Sequence, residues 1–127
     1  MRRALQVVLT LVALTPFVVG AVNLWFGAAM HMPAEHVTPE IDSQIRFFAV
    51  WFMAAGALGL YMVPHIERYR TLFTLQFGMM GLAALARVAS GLAVGWPDGT
   101  MMGAMVFEGA LVLLVPWQAA VARQAGV

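Results

Sequence analysis

The sequence predicts an all-α integral membrane protein, a four-helix bundle with antiparallel up-down-up-down topology, and three observations carry that prediction. Hydrophobic residues fill 62% of the 127 positions and charged residues only 10%, a balance outside the range of soluble globular domains. Four apolar stretches, each long enough for the roughly 20 residues of a crossing helix, alternate with short polar connections. All seven basic residues are arginines, and five of them (Arg2, Arg3, Arg68, Arg70 and Arg123) lie at the two ends and in the middle connection, while the other two connections hold no Lys or Arg. The positive-inside rule then places both termini in the cytoplasm. At this length a single transmembrane domain over residues 1–127 is expected.

The same composition excludes several function classes. No basic run or basic face exists that could track phosphates along a strand, so no nucleic-acid partner is expected. With no cysteine there is no disulfide, thiolate nucleophile or thiolate metal site. Neither a Ser/His/Asp arrangement nor a phosphate-binding or dinucleotide-binding glycine pattern is present, and no cofactor is expected.

The first helix is expected over residues 4–29, after Met1, Arg2 and Arg3. Its apolar run exceeds the about 7–15 residues of a signal-peptide core, so a retained transmembrane helix is the expectation. About 26 residues at ~1.5 Å each reach ~39 Å, which predicts tilting, bending near Pro16 or protrusion. His31 to Gln44 is polar, carries three acids and two prolines, and reads as the first connection. Within it Thr38-Pro39-Glu40 has the signature of a helix start: a threonine N-cap, proline at the first position and an acid in the first turn.

The second helix is expected over 39–63 and to be stopped by Pro64. Its middle, Met53 to Gly59, is rich in small residues that allow another helix backbone to come close. The third helix is expected over 71–93 and the fourth over 100–121, joined by the turn composition Val94-Gly95-Trp96-Pro97-Asp98-Gly99. Asp98 fits a turn or N-cap position there. Trp25 and Trp96 fall at the predicted outer boundary, and Tyr61, Tyr69 and Trp117 at the inner one.

Arg87 and Glu108 stand out because they put opposite charges inside apolar segments, where each isolated charge costs roughly 2.5–3.5 kcal/mol. Counting from the outer boundaries, Asn23, Arg46, Arg87 and Glu108 fall in one layer in the outer third of the membrane. On the third helix Gln76, Ala83, Arg87 and Ser90 are near one face, which is expected to point inward. Arg87 and Glu108 are therefore expected to touch. The pair is either a structural ion pair that fixes helix register or the lining of a small outward-open pocket for an anionic group or a proton. Asp42 and Arg46, four apart, suit a surface-proximal pair, and Asn23 suits a bond to a neighbouring helix backbone. His31, Glu35 and His36 share a loop without the spacing of a helical metal site, so no metal is expected. Met101, Met102 and Met105 suit packing at helical spacing.

Taken together, IDSQIRF, PHIER, ARVASGLAVGWPDG and FEG give the chain a resemblance over nearly its whole length. It is similar to the small bacterial four-helix membrane proteins grouped as the domain of unknown function number forty-three forty-five. In that family's pattern Asp42 and Arg46 stand at the start of the second helix. Arg87 and Ser90 stand at the end of the third, Gly95 and Pro97 in the turn, and Glu108 in the fourth. Where many members carry a glycine before the third-helix arginine, this chain has Ala86. The resemblance implies a multi-pass protein of the bacterial inner membrane and no activity. Two functions from different classes follow. The first is a non-enzymatic accessory or scaffold subunit in the lipid bilayer, packing on a membrane protein partner or a second copy. The second is a small-molecule or lipid binding or transport unit with a buried polar site (Asn23, Asp42, Arg46, Arg87, Ser90, Glu108). An enzyme ranks third, because a lone Arg and Glu pair offers only acid/base chemistry.

Overall fold

The computed structural model describes residues 1–127 and is all-α, with no strand. Four helices are long and apolar enough to cross a membrane: Arg2–Met30, Pro39–His65, Arg70–Val94 and Gly99–Gln124. Between 17% and 33% of each span's apolar window is buried within the chain, so most of its apolar surface needs a non-aqueous surrounding, as in an integral membrane protein. The chain divides into two compact units. The N-terminal unit is Arg3–Pro64, and the C-terminal unit is His65–Val127 with Met1–Arg2.

In the N-terminal unit, α1 (Arg2–Phe26, whose first residue belongs to the other unit) runs through Pro16 without interruption and ends in a 3-10 turn, Gly27–Met30. α2 (Pro39–Met62) starts as the sequence predicts: Thr38 is the N-cap, its hydroxyl accepts from Ile41 N at 3.3 Å, and Pro39 occupies the first turn. It gives way at Val63–His65 to a 3-10 turn around Pro64. The small residues of α2 meet α1 of the same chain. A Cβ on Gly56 would lie 2.6 Å from Ala13 O, and one on Gly20 would lie 2.6 Å from Ala49 O. Two backbones approach closely here because these side chains are missing. Gln6 Nε2 donates to Val63 O at 2.8 Å and ties the two helices near their other ends.

In the C-terminal unit, α3 (Arg70–Val94) is followed by α4 (Gly99–Ala110), a 3-10 turn at Leu111–Leu113 and α5 (Leu114–Gln124). The fourth span is thus two helices where the sequence predicts one. Pro116 has no N–H to give the carbonyl of Val112, and its ring crowds that carbonyl, so the preceding turn tightens. α3 packs on these segments where side chains are small: Gly81 leaves room for Val112, Ala84 meets Gly109, and Gly91 lies under the Trp96 ring. The buried residues of α3 are Phe73, Phe77, Ala84 and Gly91. That stripe lies roughly 80° around the helix from the face expected on polar grounds, and Ala83 and Ser90 are exposed. The bulk of Phe73 and Phe77, whose tilted rings have centroids 4.5 Å apart, turns the helix. The polar residues follow at its margin.

The buried Gln118 has no counterpart among the sequence expectations. Its Nε2 donates to Ile66 O at 2.8 Å, satisfying a carbonyl in the connection before α3. Arg2 Nε lies 2.9 Å from Glu67 Oε2 in the same unit.

Candidate functional site

α3 delivers Arg87 and α4 delivers Glu108 to one place. Arg87 Nε donates to Glu108 Oε2 at 2.8 Å and Nη2 donates to Oε1 at 3.2 Å, a side-on bidentate pair. The Glu108 side chain is 12% exposed and that of Arg87 38%. At 2.8 Å and an effective dielectric of about 20 the attraction is roughly 6 kcal/mol. That is of the same order as the roughly 5–7 kcal/mol for two isolated charges at the centre of a span, so pairing offsets much of the cost of charge in these apolar helices. Arg87 Nη1 has a weaker neighbour, Met101 Sδ at 3.5 Å. The expected contact between Arg87 and Glu108 is present.

Arg87 and Ser90 line a groove of about 330 Å³ together with Gly91, Val94, Gly95, Pro97, Met101 and Met105. The turn that closes it depends on Gly95, whose φ of 110° lies in the left-handed region that favours glycine, and on Asp98. The Asp98 carboxylate caps α4 by accepting from Met101 N at 2.9 Å, so it serves as an N-cap.

Asp42 and Arg46 form a second centre in the N-terminal unit, and it is more than a surface ion pair. Arg46 Nε donates to Asp42 Oδ2 at 2.7 Å. Its Nη1 donates to the carbonyls of Leu24 and Trp25, two of the orphan acceptors at the end of α1. Asp42 Oδ1 accepts from Ala28 N at 2.9 Å. The cation thus caps a helix C-terminus, where the macrodipole favours it, and the acid lies in the first turn of α2, where an anion is favoured. Gly27 makes this geometry accessible. Its φ is +61°, and a Cβ there would collide with Asp42 Oδ1 and Arg46 Nη2. A reading of Gly27 as the glycine after a helix end would have found it.

Asn23 bonds differently from the expectation. Its Oδ1 pairs with His31 Nε2 at 2.9 Å, a side chain in the following connection and not a helix backbone. The six predicted residues therefore resolve into Asn23 with His31, Asp42 with Arg46, and Arg87 with Glu108 beside Ser90. Gly27, Met101 and Met105 complete these places.

Comparison with known families decides the relationship. The family model described as Domain of unknown function (DUF4345) matches residues 4–118. The chain belongs to that family. The match contains Asp42, Arg46, Arg87, Ser90, Gly95, Pro97 and Glu108, so both charged centres belong to the family domain. No curated protein and no solved structure matches the chain.

Proposed function

We propose that the chain is a non-enzymatic accessory or scaffold subunit of a bacterial inner membrane, multi-pass with both termini cytoplasmic, that packs on helices of a partner membrane protein. The observation that carries this reading is the bidentate Arg87–Glu108 pair. Its charges are spent on holding α3 to α4, as in a structural pin, and not on presenting a reactive group. Glycine use supports a docking role. Gly20 and Gly56 are filled by neighbouring helices, whereas Gly78 and Gly103 meet nothing within 4 Å and sit beside exposed Met79 and Val106. Close helix approach in lipid uses such positions. The orientation rests on the arginine asymmetry.

A photo-crosslinking residue at Gly103 in native membranes tests the reading, with an aromatic crosslinker in place of the buried Phe77 as the internal control. The expected result is a protein adduct from position 103 and none from position 77. An adduct of twice the chain mass would make the partner a second copy. Lipid adducts alone would end the scaffold reading. The second reading, a lipid or small-molecule binding unit open to the non-cytoplasmic side, draws on the groove beside Arg87.

A further inference from the structure

The groove between the end of α3 and the start of α4 is where the C-terminal unit leaves strong hydrogen-bonding capacity unused. A guanidinium carries five N–H groups. Arg87 gives Nε and Nη2 to Glu108, while Nη1 has only the Met101 thioether at 3.5 Å, a weak acceptor. An N–H edge without a strong acceptor is costly in an apolar surrounding. Ser90, three residues on and exposed, adds a hydroxyl to the same wall. Gly91 and Gly95 contribute no side chains, and Val94, Pro97, Met101 and Met105 make the remainder apolar.

The ligand that matches has a strong acceptor at one end and hydrocarbon at the other. The groove lies at a connection between two membrane-capable helices, beside the exposed Trp96, where headgroups meet hydrocarbon and tryptophans anchor. Met101 and Met105, four apart on α4, continue its apolar wall along the helix. Because Glu108 already neutralises Arg87, a free anion from water gains little long-range attraction. A lipid arrives from the bilayer itself and gains apolar contact as well. The geometry points to this groove as a phospholipid site, in which the phosphate accepts from Arg87 Nη1 and Ser90 Oγ while an acyl chain runs against Val94, Met101 and Met105. Arginine is suited to phosphate by its planar fork. This site rests on the second reading, the groove beside Arg87, and needs no protein partner, so it stands or falls separately from the scaffold reading.

Native mass spectrometry of the full chain, delipidated in detergent and titrated with phosphatidylglycerol, tests it. Wild type is expected to hold one lipid. Ser90→Leu, at an exposed position, fills the groove, and the pair Arg87→Met with Glu108→Leu removes the guanidinium. Each is expected to weaken retention about tenfold or more, the loss of one charge-assisted hydrogen bond, with the melting temperature of Ser90→Leu unchanged. Millimolar inorganic phosphate is expected not to displace the lipid. Equal retention by wild type and Ser90→Leu, or displacement by inorganic phosphate, overturns the proposal. Should the double variant fail to fold, Ser90→Leu alone decides.

Discussion

Asp42 and Arg46 share one face of α2, whereas Arg87 and Glu108 come from different helices, and the two pairs spend their hydrogen bonds in different ways. In the N-terminal unit the pair also binds backbone: Arg46 reaches the Leu24 and Trp25 carbonyls, and Asp42 takes the Ala28 N–H. In the C-terminal unit the two side chains bind chiefly each other, and the edge of Arg87 left over borders a groove. One arrangement repairs the end of a helix. The other cancels two charges at the edge of a groove. The difference shows that an ion pair is understood from the hydrogen bonds its members make beyond one another.

The largest effect is expected where the clasp depends on a missing side chain. Gly27→Val imposes a β-branched residue at φ +61° and pushes its Cβ into Asp42 and Arg46. Left-handed strain of about 1–2 kcal/mol adds to lost charge-assisted hydrogen bonds of about 1.5–3 kcal/mol. A destabilisation of about 4 kcal/mol is therefore expected in unfolding measured in mixed micelles. A cost below about 1 kcal/mol would mean that Asp42 and Arg46 do not hold the end of α1.

Next comes rescue by removing both charges. Glu108→Gln strands Arg87, and since Arg87 stays 38% exposed the cost is expected near the lower end for a buried pair, about 3 kcal/mol. Adding Arg87→Met to Glu108→Leu is expected to return stability to within about 1 kcal/mol of wild type. The same operation on the other pair, Asp42→Leu with Arg46→Met, is expected to stay about 2 kcal/mol down, because the Leu24 and Trp25 carbonyls and the Ala28 N–H lose their partners. Equal recovery in both double variants would abolish the distinction between the two centres.

How much of this was legible in the sequence follows from the range of the interactions. The four spans, the Thr38 cap and the Arg87–Glu108 contact were readable, since each rests on local pattern or on the cost of charge in an apolar segment. The turn at Leu111–Leu113 was missed because one proline, Pro116, acts on the carbonyl four residues before it inside an unbroken apolar run. The inward face of α3 was misplaced because it followed polar residues, while Phe73 and Phe77 set the rotation. The clasp was half seen. The i, i+4 spacing of Asp42 and Arg46 is local, but their backbone partners lie 14 to 22 residues away, beyond any pattern along the helix itself.

Swapping arginine for lysine gives a smaller and more selective contrast. At position 46 a single ammonium cannot reach Asp42 and both α1 carbonyls together, so Arg46→Lys is expected to cost about 2 kcal/mol. At position 87 lysine retains a charge for Glu108 and loses one of two parallel bonds, so Arg87→Lys is expected to cost about 1 kcal/mol. The same unfolding assay checks both, and the reverse order would show that Arg87 carries the larger network.

The smallest contrast separates the caps that begin α2 and α4. Asp98 accepts from Met101 N at 2.9 Å with a full charge at the helix start, whereas Thr38 accepts from Ile41 N at 3.3 Å with a neutral hydroxyl. A shorter bond and a charge aligned with the macrodipole both favour Asp98, so Asp98→Ala is expected to cost about 1 kcal/mol and Thr38→Ala about 0.5 kcal/mol. Pro39 lowers the second figure further by holding its φ in the helical range whether or not the cap is present. The two losses also differ in reach. Met101, whose amide Asp98 holds, presents its sulfur to Arg87, so fraying at the start of α4 is expected to raise hydrogen exchange at Met101 and Met102. Fraying at α2 is expected to stop short of Asp42, because the Ala28 and Arg46 bonds secure it from the other side. Exchange rising at Asp42 and beyond in Thr38→Ala would show that the clasp is weaker than its bonds imply.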